Sequence, residues 1–190
     1  MKRKYDFIEV ALDSNNYKFI KEIYRLYKEQ ANKIFDLTCG ISTDEDIMEY
    51  IRNNIEYNIT LLGVDIANGE YAGVIVLDDL CVWDDEVTRA NCHIVVGKKY
   101  WGKGSRELIN DCYKFLKENM KKLNRLEAFV PSNNFGIIKL LKDVGFKIEG
   151  TLKNRLLFRN KKGEPTHYNE LVYSNTNLGE QNGKEESAST

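Results

Sequence analysis

The chain has 190 residues, 42% of them hydrophobic and 30% charged, which suits one globular domain with its own core. A formal charge of −1 gives no global drive toward nucleic acid or an anionic membrane surface. No apolar stretch approaches the ~20 residues of a transmembrane helix.

The start, MKRKYDFIEV, carries basic residues with no apolar run behind them, so it is not expected to be a signal peptide. Cys39, Cys81, Cys92 and Cys112 are scattered, with no C-x-x-C pair, and read as reduced and structural in a cytoplasmic protein. The two histidines, His93 and His167, are far apart in sequence, so no metal site is expected.

In chain order, Phe7 to Leu12 reads as a first strand. Ile20, Ile23, Tyr24, Tyr27, Ala31 and Ile34 recur at helical spacing. A second helix opens at STDED, with Ser42 and Glu45 spaced as a capping box and Ile47, Tyr50, Ile51 and Ile55 on one face. ITLLGVDI and YAGVIVLDD are strands joined by a turn at Asn68-Gly69. TRANCHIVVG is a longer strand, with Ala90, Cys92, Ile94 and Val96 on its apolar face and Asn91 and His93 on the other.

Leu108, Ile109, Cys112, Phe115, Leu116 and Met120 predict a helix. RLEAFV is a strand ended by Pro131. NNFGIIKLLKDVGF is a short helix closing on Gly145. FKIEGTLKNRLLF and HYNELVYS are two last strands around RNKKGEP. The order β-α-α-β-β-β-α-β-α-β-β predicts an α/β (α+β) domain, a mixed sheet with helices on its faces, over residues 1–174. The tail, 175–190, has one leucine and no aromatic residue and is expected to be disordered.

The stretch VVGKKYWGKGS, Val95 to Ser105, carries the functional signal. Counted from Gly97 it approaches the P-loop G-x-x-x-x-G-K-[ST], with Asp78 and Asp79 as an acidic strand end, but Gly104 stands where the metal-binding hydroxyl belongs. Ser105 comes one residue late, about 100° further round a helix. Counted from Lys99, it is a glycine turn between a strand and a helix. Glycines let a phosphate approach the backbone, and the helix start offers unpaired N–H groups. Lys99 and Lys103 add charge, and a pyrophosphate is the natural ligand.

Lys99-Tyr100-Trp101-Gly102-Lys103-Gly104 resembles the [RQ]-x-x-G-x-[GA] loop of the GNAT superfamily of N-acetyltransferases, with Lys99 in place of Arg or Gln. The closest likeness is to the branch containing the ribosomal-protein alanine N-acetyltransferases. Asn134, Gly145, Phe146, Glu149 and Gly150 match that branch's second motif, and THYNELVYS resembles its closing strand. The resemblance is specific from about Asn91 to Ser174 and architectural before that.

It implies the GNAT fold, with a mostly antiparallel six- to seven-stranded sheet and helices on both faces. It also implies acetyl-CoA as co-substrate, no metal, and direct attack by a primary amine, on a small molecule or on a protein N-terminus or lysine. Neither a nucleic-acid nor a membrane partner is indicated, and both monomer and homodimer fit. Carried over, Ile94, Val95 and Val96 would pair with pantetheine through their backbone and polarise the thioester carbonyl. Lys99, Tyr100, Trp101, Gly102, Lys103, Gly104 and Ser105 would form the pyrophosphate loop, and Asn134 would reach the pantetheine arm. Gly104→Asp would place a charge against the pyrophosphate.

The acid–base residues depart from the family pattern. Asn91 stands about where relatives place a glutamate on the strand, and an amide is no base. His93, on the same face, is the nearest titratable candidate. Asp84, Asp85 and Glu86 form an acidic loop that reads first as a solvated charge run, with attraction of a cationic amine as the alternative. The family's thiolate-protonating tyrosine is replaced by Leu141 and a helix serine by Ile137, which leaves Tyr168 or Tyr173 as substitutes. Tyr17, Tyr24 and Tyr27 are candidates for an acceptor pocket, although the helical spacing of Tyr24 and Tyr27 reads first as core. A non-catalytic acyl-CoA-binding module of the same fold is the alternative.

Overall fold

The computed structural model describes residues 3–13, 16–31, 41–160 and 162–176. The expected strands and helices occur in the expected order. They are β1 (Tyr5–Glu9), α1 (Tyr17–Lys28), α2 (Asp44–Tyr57), β2 (Ile59–Asp65), β3 (Tyr71–Trp83) and β4 (Glu86–Val96). After a 3-10 turn at Lys98–Tyr100 come α3 (Lys103–Asn119), β5 (Arg125–Pro131), α4 (Phe135–Asp143), β6 (Lys147–Arg159) and β7 (Pro165–Asn175).

The seven strands form one sheet in the order β1-β2-β3-β4-β5-β7-β6. Only β4 and β5 run parallel; every other neighbouring pair is antiparallel. This excludes the doubly wound parallel sheet that a P-loop nucleotide site requires.

Two cores flank the sheet. On one face, Leu108, Ile109, Cys112 and Leu116 of α3 and Leu140 and Leu141 of α4 pack on Ala90, Cys92, Val96, Leu126, Ala128 and Val130. On the other, Ile20, Ile23, Leu26 and Tyr27 of α1 and Ile47, Ile51 and Ile55 of α2 cover Leu62, Val74, Val76 and Val95. The alternation read from β4 therefore assigns its two faces as expected. Burial pushes the Cys92 thiol up to about 12 and raises Cys112 as well, so neither is a thiolate nucleophile at neutral pH. Cys81 is exposed, and Cys39 lies outside the described residues.

Several boundaries differ from the sequence reading. β1 starts at Tyr5 rather than Phe7, because the buried Asp111 carboxylate on α3 accepts from the Lys4 and Tyr5 N–H groups at 2.7 and 3.1 Å. The α2 cap is Thr43 with Asp46, one residue beyond Ser42 and Glu45: Thr43 Oγ1 accepts from Asp46 N, and Asp46 Oδ2 accepts from Thr43 N. α1 closes at Lys28, and Ile34 lies outside the described residues.

At 66–70 the chain makes a five-residue loop rather than a two-residue turn. Asp65 O accepts from Gly69 N at 2.8 Å, with Gly69 at φ +72°. Asp84 and Asp85 sit at φ +54° and +57°, the two left-handed positions of a type I′ hairpin turn between β3 and β4. α4 ends in a Schellman motif, with Phe146 N donating to Leu141 O and Gly145 N to Lys142 O. Asn175 is the last residue of β7, buried and paired with Leu126, so the strand runs past 174; residues 177–190 lie outside the described residues.

Asp111 also accepts from Lys114 Nζ at 2.7 Å. Burial opposes its charge, but the Lys114 ammonium and the two N–H donors win and hold its pKa below the usual value. A carboxyl depressed on folding stabilises the fold above its unfolded pKa and loses that contribution as pH falls through the folded value. Urea titrations between pH 6 and 2 should show this acid-side loss, and Asp111→Asn should flatten it.

Candidate active site

β4 and β5 pair only over Arg89↔Arg125, Ala90↔Leu126 and Asn91↔Glu127. Beyond Asn91 they part, because β5 turns to β7, pairing Ala128 with Tyr173 and Val130 with Leu171. β4 keeps β3 on its other edge through Ile94↔Ile75, Val95↔Val74 and Val96↔Gly73. One backbone edge of residues 92–96 therefore opens into a fork instead of a neighbouring strand.

The mouth of the fork is a cavity of about 510 Å3. Val96, Trp101, Gly102 and Ser105 line one wall, and Asn133, Asn134, Phe135, Gly136, Ile137 and Leu140 line the other. Gln30, Phe158 and Arg159 complete it; among the described residues Arg159 is the charged one in the lining. α3 starts at this cavity with Gly102 as its N-cap, at φ +82°, and no side chain caps its first N–H groups. The Ser105 hydroxyl donates to Gly102 O at 2.8 Å, inside the turn. Uncapped amides at the positive end of a 17-residue helix form an anion-binding surface.

Not every loop residue faces this surface. Lys99 pairs with Glu70, which also accepts from the Tyr100 hydroxyl at 2.9 Å. Both side chains thus turn to a separate surface cleft that contains Glu22, Arg25 and Glu29. Burial and the Glu70 carboxylate push the Tyr100 phenol up to about 12. Lys103 is largely exposed and lies 3.5 Å from Glu107.

A Cβ on Gly104 would meet Tyr100 Cβ and the Tyr5 hydroxyl at 3.4 Å, so this glycine faces the protein and not the cavity. A negative charge is better introduced at Ser105. Ile94 is half-buried, and Val95 is buried on the α1–α2 face with its carbonyl turned to β3, so of the two only the Ile94 backbone is on the fork side. Asn134 caps α4 by accepting from Ile137 N at 3.4 Å while lining the cavity.

His93 Nε2 lies 2.9 Å from Asp78 Oδ2. Asn91 sits directly across from Asp78 on β3 and from Glu127 on β5. Glu127 carries no signal in the sequence of β4, because it enters this face from the neighbouring strand β5. The alternation in RLEAFV was the available signal, since it puts Glu127 on the face opposite Leu126, Ala128 and Val130. Its carboxylate is held by Arg125 Nε at 2.6 Å.

Tyr168 is half-buried, 6.2 Å ring to ring from the cavity residue Phe158. Tyr173 is buried in the core on the α3 side, as is Leu141. Tyr27 is buried against Tyr50, Tyr24 is half-buried, and Tyr17 is exposed. Asp84, Asp85 and Glu86 lie at the far end of β4, about 30 Å from Val96 at ~3.3 Å per residue, and Lys122 reaches Asp84 and Glu86 at 3.2 and 3.4 Å. Among the described residues no group of three or more His, Cys, Asp or Glu is placed to hold a metal ion. Among the same residues no helix is long and apolar enough to cross a membrane.

No protein-family model matches the sequence, and no curated protein matches it significantly. Solved structures do match. The ribosomal-protein-S5-alanine acetyltransferase of Vibrio fischeri superposes with a TM-score of 0.67 at 16% identity, covering 93% of this chain and 95% of its own. The spermidine N-acetyltransferase of Vibrio cholerae, solved with CoA and spermine, gives 0.66 at 16%, covering 90% and 95%. A GNAT-family acetyltransferase of Bacillus anthracis gives 0.65 at 16%, covering 93% and 96%. The chain has the GNAT fold. The fork between β4 and β5, with the α3 N-terminus at its mouth, is the part of the GNAT fold that opens a cleft through an otherwise continuous sheet.

Proposed function

We propose that this chain is an N-acetyltransferase that moves an acetyl group from acetyl-CoA to a primary amine. The observation that carries the reading is the junction of the open β4 edge with the uncapped N-terminus of α3 in one cavity. A phosphate-bearing, amide-containing arm needs both features. The N–H groups that start α3, with Gly102 leaving room for close approach, would hold the pyrophosphate. The fork-side edge of β4 at Ile94 and Val96 would pair with the pantetheine amides, Val96 O by exchanging a donor it already has, and Asn134 and Ile137 would flank the arm from α4. Arg159 adds a cation at the rim. Acetyl-CoA supplies a thioester whose carbonyl carbon accepts the amine.

This chain's contribution is then mainly alignment, the largest available effect for two bound reactants. Tyr168 packs on the cavity residue Phe158 and bounds that wall. Solved GNAT-fold proteins with CoA bound support the donor. The acceptor is proposed only as a primary amine.

One observation favours a non-catalytic acyl-CoA-binding module. Leu141 stands where the family's acid tyrosine would be, and it is wholly buried. Calorimetry with acetyl-CoA, followed by thiol release against a panel of primary amines, separates the readings. Binding with turnover of at least one amine is the expected result. Binding without turnover of any amine selects the module, and no binding sinks both.

A further inference from the structure

A candidate proton acceptor stands on the face of the sheet under α1 and α2. Asp78 and His93 sit on adjacent antiparallel strands, and Asp78 Oδ2 engages His93 Nε2 at 2.9 Å. A carboxylate accepts only, so Nε2 carries the proton of this bond. The imidazole is thereby set in one tautomer, with the Nδ1 lone pair free of Asp78. The His93 side chain is 41% exposed, so Nδ1 is reachable from solvent.

Two further acceptors stand beside it. Asp78 Oδ1 and Asn91 Oδ1 are buried, and neither has a hydrogen-bond partner among the described residues. Buried acceptors without donors are uncommon. With His93 Nδ1 they make three acceptors, the number that the three N–H groups of a primary ammonium require.

The position fits the fork. Asn91 is the last β4 residue paired to β5, and His93 is the first residue beyond it on the same face. Val96, at the cavity, is three residues further, about 10 Å along the strand. The other charged and titratable groups around this face are Arg89 on β4, Glu127 with Arg125 on β5, Tyr27 on α1 and Tyr50 on α2. Arg89 reaches Asp79 at 3.6 Å through Nη2 while its Nε, a donor, has no partner among the described residues; Glu127 is held by Arg125 and Tyr27 packs on Tyr50, which leaves His93 Nδ1 as the nitrogen with a lone pair for a proton.

We propose that Asp78, His93 and Asn91 form the amine-receiving half of the site. Asn91 Oδ1 and Asp78 Oδ1 dock a primary ammonium, and His93 Nδ1 takes its proton. This rests on the acetyltransferase reading. The freed nitrogen lone pair forms the C–N bond to the thioester carbon, the C–S bond breaks, and its electron pair leaves with sulfur. The proton held on His93 then passes to that sulfur, and the second proton, shed by the acylated nitrogen, leaves through His93 Nδ1 to solvent, so that ammonium and thioester give amide, thiol and one released proton. His93 is the catalytic residue of this set, and Asp78 positions it.

The test uses the whole chain and His93→Gln, Asp78→Asn and Asn91→Leu. Acetyl-CoA affinity is measured by calorimetry, amine turnover by thiol release across pH, and the imidazole tautomer by 15N NMR, with only two histidines in the chain. All variants should bind acetyl-CoA within about twofold of the parent. His93→Gln should lower kcat about 100-fold or more and remove the acid limb of the pH profile, the scale of general-base catalysis. Asn91→Leu should raise the amine KM with little change in kcat. Asp78→Asn should shift the tautomer signal and the acid limb together.

A parent protein that binds acetyl-CoA and acetylates an amine, with His93→Gln keeping its rate and pH profile, overturns this assignment alone. So does a parent His93 protonated on Nδ1. A parent that fails to bind acetyl-CoA overturns the donor reading beneath it.

Discussion

Ser105→Asp should leave the fold intact and cut acetyl-CoA affinity about 1,000-fold. Ser105 is the third residue of α3 and lines the cavity. Replacing its hydroxyl loses the bond to Gly102 O, about 1 kcal/mol. A carboxylate in the first turn of a helix returns about 0.3–1 kcal/mol through the dipole, so stability should change little. Against a bound phosphate the same carboxylate is repulsive. Two unit charges 4 Å apart at an effective dielectric of 20 interact by about 4 kcal/mol. At about 1.4 kcal/mol per decade that is roughly three orders of magnitude in Kd. Calorimetry and a urea melt on the same sample check both halves. Unchanged affinity in a folded Ser105→Asp protein would remove the phosphate from this helix end.

The second large effect is on stability and concerns one leucine between two glycines. Leu108 is wholly buried on α3, over β2 and β3. A Cβ at Gly63 would fall 2.7 Å from Leu108 Cδ1 and 3.3 Å from Phe7 Cε1, both side-chain atoms. A Cβ at Gly73 would fall 2.9 Å from Leu108 Cδ2 but also 2.7 Å from the Val95 carbonyl oxygen, which is backbone.

Leu108→Ala should cost about 2–5 kcal/mol through the cavity it leaves. Gly63→Ala and Gly73→Ala should each cost about 1–3 kcal/mol by overpacking. The two glycines should differ in the double mutants. With Leu108→Ala, the new methyl at 63 fills vacated space, and the pair should be about 1 kcal/mol or more better than additive. With Gly73→Ala the Val95 carbonyl still blocks the methyl, and most of the penalty should persist. Urea unfolding measures all five proteins; simple additivity at Gly63 would show that Leu108 is not the obstacle.

Helices and strands were legible where periodicity is a local property. The 3.6 spacing of Ile20, Ile23 and Tyr27, and the alternation of Ala90, Cys92, Ile94 and Val96, each report the face on which a core forms, and both faces are as expected. The ends of elements were less legible because distant atoms decide them. Tyr5 joins β1 because of a carboxylate 106 residues away. The Thr43 cap displaced the Ser42 reading because both pairs satisfy the same spacing, and only the backbone decides between them.

In the site, Gly102 and Ser105 line the cavity, whereas the direction of each neighbouring side chain is invisible in the sequence. Lys99 and Tyr100 turn to Glu70, a residue on the loop before β3, and Gly104 faces Tyr5. Gln30, Phe158 and Arg159 enter the cavity from elements far away in the chain, and no spacing rule joins them. In the sequence Asp78 reads only as an acidic strand end. Its partnership with His93 needs the β3–β4 register, which pairing across strands alone supplies.

The carbonyl of Val96 has one more implication. It accepts from Gln30 Nε2 at 2.5 Å and from Trp101 Nε1 at 3.0 Å, so both lone pairs of that oxygen are engaged. An amide-bearing arm that pairs with β4 at this point exchanges one bond for another instead of adding one. Attachment there is a trade of partners with little net gain in hydrogen bonding. The tightness of the complex must come from the phosphate end and from shape along the fork, and the indole of Trp101, released or retained, becomes an optical reporter of which partner holds that oxygen.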